Sequence, residues 1–149
     1  MTVCLRPARV LDARQAGEIL HLFNTGTEWM PKLHSQAETI GFCGTMIDRG
    51  WVTVAERDGR VIGFLARDGV DICSLYLRPG ETGQGVGKHL LDRAKSESDY
   101  LQLWVFQANE GAQRFYAREG FTEIARSDGA HNDENLPDMQ MIWRKEMSR

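Results

Sequence analysis

Four of the chain's fifteen glycines fall within eight positions, at Gly80, Gly83, Gly85 and Gly87. The segment Glu81-Thr82-Gly83-Gln84-Gly85-Val86-Gly87-Lys88 joins a strand pattern to a helix pattern. Glycine lets the main chain approach a bulky anion with no Cβ in the way. The first amides of a helix have no partner inside it and point out of its end, so with the helix dipole they form an anion site. Lys88 and Arg78 could add charge, and a diphosphate is the natural guest. The spacing is not that of a P-loop, which needs GxxxxGK followed by Ser or Thr; here the run GQGVGKH places His89 there. A dinucleotide fingerprint, GxGxxG, needs a leading parallel strand, and hairpin patterns precede this loop instead.

A second cluster lies downstream, Asn109-Glu110-Gly111-Ala112-Gln113-Arg114-Phe115-Tyr116, closing on Glu119-Gly120-Phe121. Asn109 suits a helix N-cap. Ala112, Phe115 and Tyr116 fall at helical spacing. Gly120 sits where a left-handed residue ends a helix.

Both clusters must be held by a mixed fold. A short strand is predicted over Val3 to Arg6. Asp12 with Gln15 forms a capping-box variant, opening a helix whose apolar face is Ala16, Ile19, Leu20 and Phe23. Ser35 with Glu38 is a second capping box; its helix carries Ile40, Cys43 and Ile47 on one face and stops at Gly50. Strands follow over Trp51 to Arg57, Arg60 to Arg67 and Val70 to Leu77, separated by the tight turns Asp58-Gly59 and Asp68-Gly69. The next helix starts at Val86 and aligns Val86, Leu90, Leu91 and Ala94. Tyr100 to Gln107 is apolar on both faces and reads as a central buried strand. Phe121 to Arg126 and Met139 to Lys145 are the last strands, around the polar loop SDGAHNDENLPD. The order β-α-α-β-β-β-α-β-α-β-β predicts an α+β (mixed α/β) fold. Its sheet is mixed and mostly antiparallel, with about seven strands flanked by about four helices.

Length and composition agree. A chain of 149 residues, 42% hydrophobic and 26% charged, suits one domain over residues 1–149 and excludes disorder. No apolar run approaches the roughly 20 residues that span a bilayer. The start, MTVCLRPARV, lacks the features of a signal peptide, so a cytoplasmic protein without a membrane partner is expected. A net charge of -3 gives no basic field for nucleic acid. Cys4, Cys43 and Cys73 have no CxxC spacing, so neither a disulfide framework nor a metal site is expected. Each lies in an apolar pattern and reads as a buried thiol.

Taken together, LYLRPGETGQGVGKHLL and Asn109 to Phe121 resemble the GNAT superfamily of acetyl-coenzyme A-dependent N-acetyltransferases. The first segment is similar to its Gln/Arg-x-x-Gly-x-Gly loop and following helix. The second is similar to its Asn-x-x-Ala-x-x-hydrophobic-Tyr-x-x-x-Gly-Phe motif. The resemblance spans Leu75 to Phe121 by motif and the whole chain by strand order. It implies a GNAT-like fold, acetyl-coenzyme A as cofactor, and transfer to the primary amine of a small molecule or amino-acid-like acceptor by a monomer or homodimer. A non-catalytic acyl-coenzyme A sensing module and a peptide or protein N-acetyltransferase are the alternatives. The resemblance places Thr82, Gly83, Gln84, Gly85, Val86, Gly87 and Lys88 around the diphosphate. Main-chain groups of Leu75 and Leu77 and the side chain of Asn109 would hold the pantetheine arm, with Ala112 and Phe115 beside it and Tyr116 near the sulfur. Thr82 departs from the family's Gln or Arg: it donates one hydroxyl bond and no charge, leaving more of the binding to the amides and Lys88.

Acetyl transfer needs a neutral amine, donors for the carbonyl oxygen and a proton for the departing thiolate. Tyr116, with a reference pKa near 10, would supply that proton; the alternative is a core tyrosine packed with Phe115. The Leu75 amide is the leading oxyanion donor, unless it is used in the strand ladder. Asp71 is the candidate base, placed by period two on the face of Cys73 and Leu75. Glu28, Glu81, His34, His131 and a water chain are its rivals. The acceptor would be flanked by GTEWMPKLH and SDGAHNDENLPD, which offer Glu28, Trp29, His34 and His131, with Phe106 as a wall. Glu28, Asp128, Asp133 and Glu134 could hold an ammonium group.

Overall fold

The computed structural model describes residues 2–145. Its elements are β1 (Cys4–Pro7), α1 (Ala13–Gly26), α2 (Gln36–Asp48), β2 (Val52–Arg57), β3 (Arg60–Asp68) and β4 (Asp71–Leu77), then α3 (Val86–Ser96), β5 (Tyr100–Phe106), α4 (Glu110–Arg118), β6 (Thr122–Ser127) and β7 (Asp138–Arg144). The strands form one sheet in the order β1-β2-β3-β4-β5-β7-β6. Every pairing is antiparallel except β4 with β5. The mixed, mostly antiparallel seven-stranded sheet with four α-helices is the predicted architecture.

Local chemistry explains most boundaries. Asp58 and Gly59 both take positive φ, 55° and 77°, as a type I′ hairpin requires. The second hairpin is shifted by one residue from its expected frame. Its loop is Gly69-Val70, because Asp68 pairs with Asp71. Only Gly69 has positive φ there, as in type II′, since a β-branched Val70 strongly disfavours a left-handed conformation. Ser35 and Glu38 form the predicted reciprocal capping box. Asp12 and Gln15 do not: Asp12 accepts from the Arg9 amide and from both terminal nitrogens of Arg6, and Gln15 accepts from the Val61 amide. Long-range partners outcompete the local cap.

The two sheet faces carry separate cores. Under α3 and α4 pack Leu65, Ile72, Leu101, Leu103 and Met141, with Leu75 and Leu77 at the margin. Under α1 and α2 pack Val54, Phe64 and Ala66, with Tyr76 at the margin. β5 is not buried on both faces as its composition suggested. Leu101, Leu103 and Val105 are buried, but Trp104 is 46% exposed. Cys43 is buried as expected, whereas Cys4 and Cys73 are exposed. Cys4 lies on the edge strand β1, and Cys73 sits in a bulge.

The Arg6–Asp12 pair ties β1 to the start of α1, at 2.7 and 3.0 Å, with the Asp12 side chain 8% exposed. Hydrogen bonds from Arg6 hold the Asp12 carboxyl below its ordinary 3.8, outweighing burial. Its folded pKa is lower than its unfolded one, so its contribution is complete above the ordinary carboxylate range and is lost as pH falls through the folded value. Asp12→Ala should cost roughly 2 kcal/mol at neutral pH, because Arg6 loses two charge-assisted hydrogen bonds and keeps only Glu56 and the Pro7 carbonyl. Denaturant melts of both proteins should converge in strong acid.

Candidate active site

The site begins where β4 and β5 part. They pair at one position, Asp71 opposite Gln102. Beyond it the strands diverge and leave a cleft through the sheet.

A bulge sets which groups face that cleft. In the β3–β4 ladder Ala66 pairs with Ser74 but Arg67 with Ile72, so Cys73 is the extra residue. The bulge breaks period two: Ile72, not Asp71, shares the Leu75 face. Asp71 therefore lies on the Ser74 and Tyr76 face, which corrects its predicted placement. Main-chain directions follow from the same ladder. The Arg78 amide donates to the Ile62 carbonyl at 2.7 Å, so the pairs 62/78, 64/76 and 66/74 exchange hydrogen bonds and 63/77 and 65/75 do not. The amides and carbonyls of Leu75 and Leu77 thus point away from β3, into the gap that β5 leaves.

The chain exits β4 through a type II turn. Pro79 is its second residue, Gly80 has φ +91°, and Glu81 N–H donates to Arg78 C=O at 3.0 Å. Gly83 and Gly85 are left-handed, at φ +75° and +84°, and a Cβ at either would meet no protein atom. Their need for glycine is conformational, with the open side facing the cleft. Gly85 caps α3 without a side-chain hydrogen bond, and its carbonyl accepts from His89. The amides of Val86, Gly87 and Lys88 therefore have no intrahelical partner. Unpaired amides at a helix N-terminus form a geometry able to hold an anion such as a phosphate.

Gly87 and Lys88 line one end of a cavity of about 660 Å3 that runs along α3 and α4 and reaches Tyr76 of β4 and Phe23 of α1. Among the expected cofactor residues, Thr82, Gly83, Gly85, Gly87 and Lys88 line it at the loop. Leu75, Leu77, Asn109, Ala112, Phe115 and Tyr116 line the rest. Gln84 is exposed and turns its side chain to the Gly80 carbonyl at 3.3 Å, while Val86 is buried in the core and can contribute only main chain. Lys88 is exposed and pairs with Glu119 at 3.1 Å and Asp92 at 3.5 Å. Arg78 adds no charge here, contrary to expectation. It lies on the α1 face, 5% exposed, donating to the Val61 carbonyl and pairing with Glu18.

Asn109 caps α4, its Oδ1 accepting from the Ala112 amide at 3.1 Å. Tyr116 packs on Phe115 and Phe121, with ring centroids 5.2 and 5.4 Å apart. It lines both the large cavity and the narrow throat between β4 and β5. Its hydroxyl makes no hydrogen bond among the described residues. Burial, and then the neighbouring Tyr76, push its pKa well above the ordinary phenol value. It stays protonated, so it can donate.

The throat opens on the opposite face into a second cavity of about 410 Å3. Phe106 and His34 line it as expected, and Asp133 and Glu134 stand beside them. Trp29 meets Phe106 edge-on at 5.7 Å, and His131 packs tilted against Trp104 at 4.8 Å. Glu28 is exposed and lines none of these cavities, Asp128 is exposed, and Glu81 pairs with Arg57. Asp71 accepts a hydrogen bond from Gln102 on the Trp104 face. The loop between β6 and β7 is organised by the buried Asp138, which accepts from Ser127, His131 and Asn132. The sequence reading missed Ser74, Tyr76, Trp104 and Glu38. The signal was present in the Ser74–Tyr76 alternation, but it has meaning only once the strands are known to part.

Residues 48–123, about half of the chain, match the family model for the acetyltransferase (GNAT) domain. The chain belongs to the GNAT family. Among curated GNAT relatives, the peptidyl-lysine N-acetyltransferase YiaC of Escherichia coli K12 is 32% identical over 97 residues, covering 64% of this chain and 63% of that protein. The peptidyl-lysine N-acetyltransferase YjaB of the same organism is 37% identical over 78 residues, 52% of each chain. The matched segment thus spans about half to two thirds of those relatives' length. The fold extends further. Apo YjaB from Escherichia coli superposes with a TM-score of 0.78 over 96% of this chain and 98% of that one, at 22% identity. YncA of Salmonella typhimurium, a putative acetyltransferase solved with acetyl-CoA, gives 0.73 over 97% and 95%, at 20% identity. Among the described residues no helix is long and apolar enough to cross a membrane.

Proposed function

We propose that this GNAT protein transfers an acetyl group from acetyl-coenzyme A to a primary amine. The observation that carries the reading is the cleft through the sheet. Uncapped amides at Val86 to Lys88 stand at one end, outward-pointing Leu75 and Leu77 main chain lines the middle, and a protonated Tyr116 stands at the throat. The uncapped amides and the left-handed glycines fit a diphosphate, and the strand edge fits an extended amide-bearing arm. When bound, acetyl-coenzyme A supplies the acetyl thioester.

The chain's own groups then divide the work. Loop amides and the Thr82 hydroxyl hold the diphosphate. Leu75 N–H donates to the carbonyl oxygen as it gains charge. Tyr116 O–H gives its proton to the departing sulfur, and Asp71 takes the amine's proton through water from the far face. Holding both reactants across one throat contributes by orientation alone. A lysine side chain in a peptide is a second acceptor reading, favoured by the names of the two Escherichia coli relatives. Amine-dependent release of thiol from acetyl-coenzyme A tests the function.

Asp71→Asn should lower turnover about tenfold or more at low pH, where the amine is protonated and a base matters most. Higher pH should restore much of the loss. A mutant that keeps the wild-type pH profile would remove Asp71 from the mechanism.

A further inference from the structure

The cavity on the far face has a pattern that acetyl transfer alone does not require. Its floor is Tyr76, Trp104 and Phe106, and its rim carries Glu38, Asp133 and Glu134. Among the described residues no lysine or arginine lines it. Lys32, in the neighbouring loop, spends its ammonium on the carbonyls of Asn24, Thr27 and Met30. Glu38 accepts the Ser35 amide in the capping box, which holds its carboxyl below the ordinary range and therefore ionised.

The inner end is polar in another way. Ser74 is 6% exposed and lines both the throat and the cavity. Its hydroxyl makes no hydrogen bond among the described residues and opens onto the cavity, where it is free to meet a ligand. It lies on the cavity face, in alternation with Tyr76. The Tyr76 phenol is also without a hydrogen bond among the described residues. Burial, and then the Glu134 carboxylate, raise it to about 12, which keeps it neutral and places Glu134 within electrostatic reach. Hydroxyls at the throat, an aromatic floor and carboxylates at the rim match an alkyl chain with nitrogen at both ends.

We infer that the acceptor is an alkylamine with a second cation several carbons from the acetylated nitrogen and no carboxylate near it. The reacting amine sits at Ser74, the alkyl chain crosses Trp104 and Phe106, and the second cation pairs with Glu134, Asp133 and Glu38. An ω-amino acid would bring its carboxylate to a rim of like charge. Free polyamines and lysines flanked by basic residues share the required chemistry. The assignment of the reacting nitrogen rests on the transferase reading; the binding preference does not.

Calorimetric titration of the coenzyme A-bound protein separates the two. Cadaverine should bind about tenfold more tightly than pentylamine, and aminohexanoate should bind more weakly than either. Glu134→Gln with Asp133→Asn should erase the cadaverine preference and leave coenzyme A affinity unchanged. Equal affinity for cadaverine and pentylamine, no binding of cadaverine, or a preference that survives the double substitution overturns the inference. A blocked Arg-Lys-Arg peptide binding above cadaverine assigns the source to a basic peptide, and the reverse to a free polyamine; either order supports the shared chemistry. Thiol release run beside the titration keeps the readings apart. Preferential binding without turnover sinks the transferase reading alone, and equal turnover of pentylamine and cadaverine sinks the inference alone.

Discussion

Tyr116→Phe should lower turnover by about 10²-fold or more, with little change in acetyl-coenzyme A affinity. The substitution keeps the ring, and with it the packing on Phe115 and Phe121. It deletes only the hydroxyl, which no described residue uses. The melting temperature should therefore barely move. Loss of one hydroxyl contact to a ligand costs on the order of 1 kcal/mol, too little to explain a hundredfold fall through binding. Stopped turnover with intact binding and stability assigns the hydroxyl to the chemistry. Lost stability with retained turnover would make Tyr116 a core residue.

Gly85→Asp should abolish measurable acetyl-coenzyme A binding while leaving a folded protein. The residue is left-handed at φ +84°, a conformation aspartate tolerates at a cost of about 1 kcal/mol. No protein atom stands where its Cβ would go, so the fold should lose only about 2–4 °C in melting temperature. The new carboxylate would instead occupy the mouth of the uncapped α3 amides and repel a diphosphate. Titration calorimetry should show at least a hundredfold loss of affinity, consistent with losing charge-assisted hydrogen bonds and adding like charge. Wild-type affinity in this mutant would place the cofactor elsewhere.

Much of this architecture is legible in the sequence because it is written locally. Asp58-Gly59, the Ser35–Glu38 capping box and the glycines before α3 each specify a conformation within a few residues. The loop and the Asn109–Tyr116 helix were therefore found at the correct ends of their strands. What escaped depends on partners distant in sequence. Cys73 becomes a bulge only against Ala66 and Arg67, and the bulge moves Asp71 to the other face. Arg78 looked like an anion ligand until Glu18 and the Val61 carbonyl claimed it. Trp104 looks buried because β5 is apolar on both sides, yet α1 and α2 pack over β2 and β3, with α1 reaching β4, and leave that face of β5 open. Ser74 and Tyr76 carry no motif; they matter because two strands separate beside them.

The central claim is that one cleft binds the thioester on one face and delivers it to an amine from the other. Thiol release from acetyl-coenzyme A, followed with and without a panel of primary amines and paired with mass spectrometry of the acceptor, tests it most directly. Amine-dependent thiol release is the expected result, matched one for one by N-acetylated acceptor and lowered about 10²-fold or more in Tyr116→Phe. Tight acetyl-coenzyme A binding with no amine-dependent release, across small amines and lysine peptides alike, would contradict it and make the protein an acyl-coenzyme A sensor.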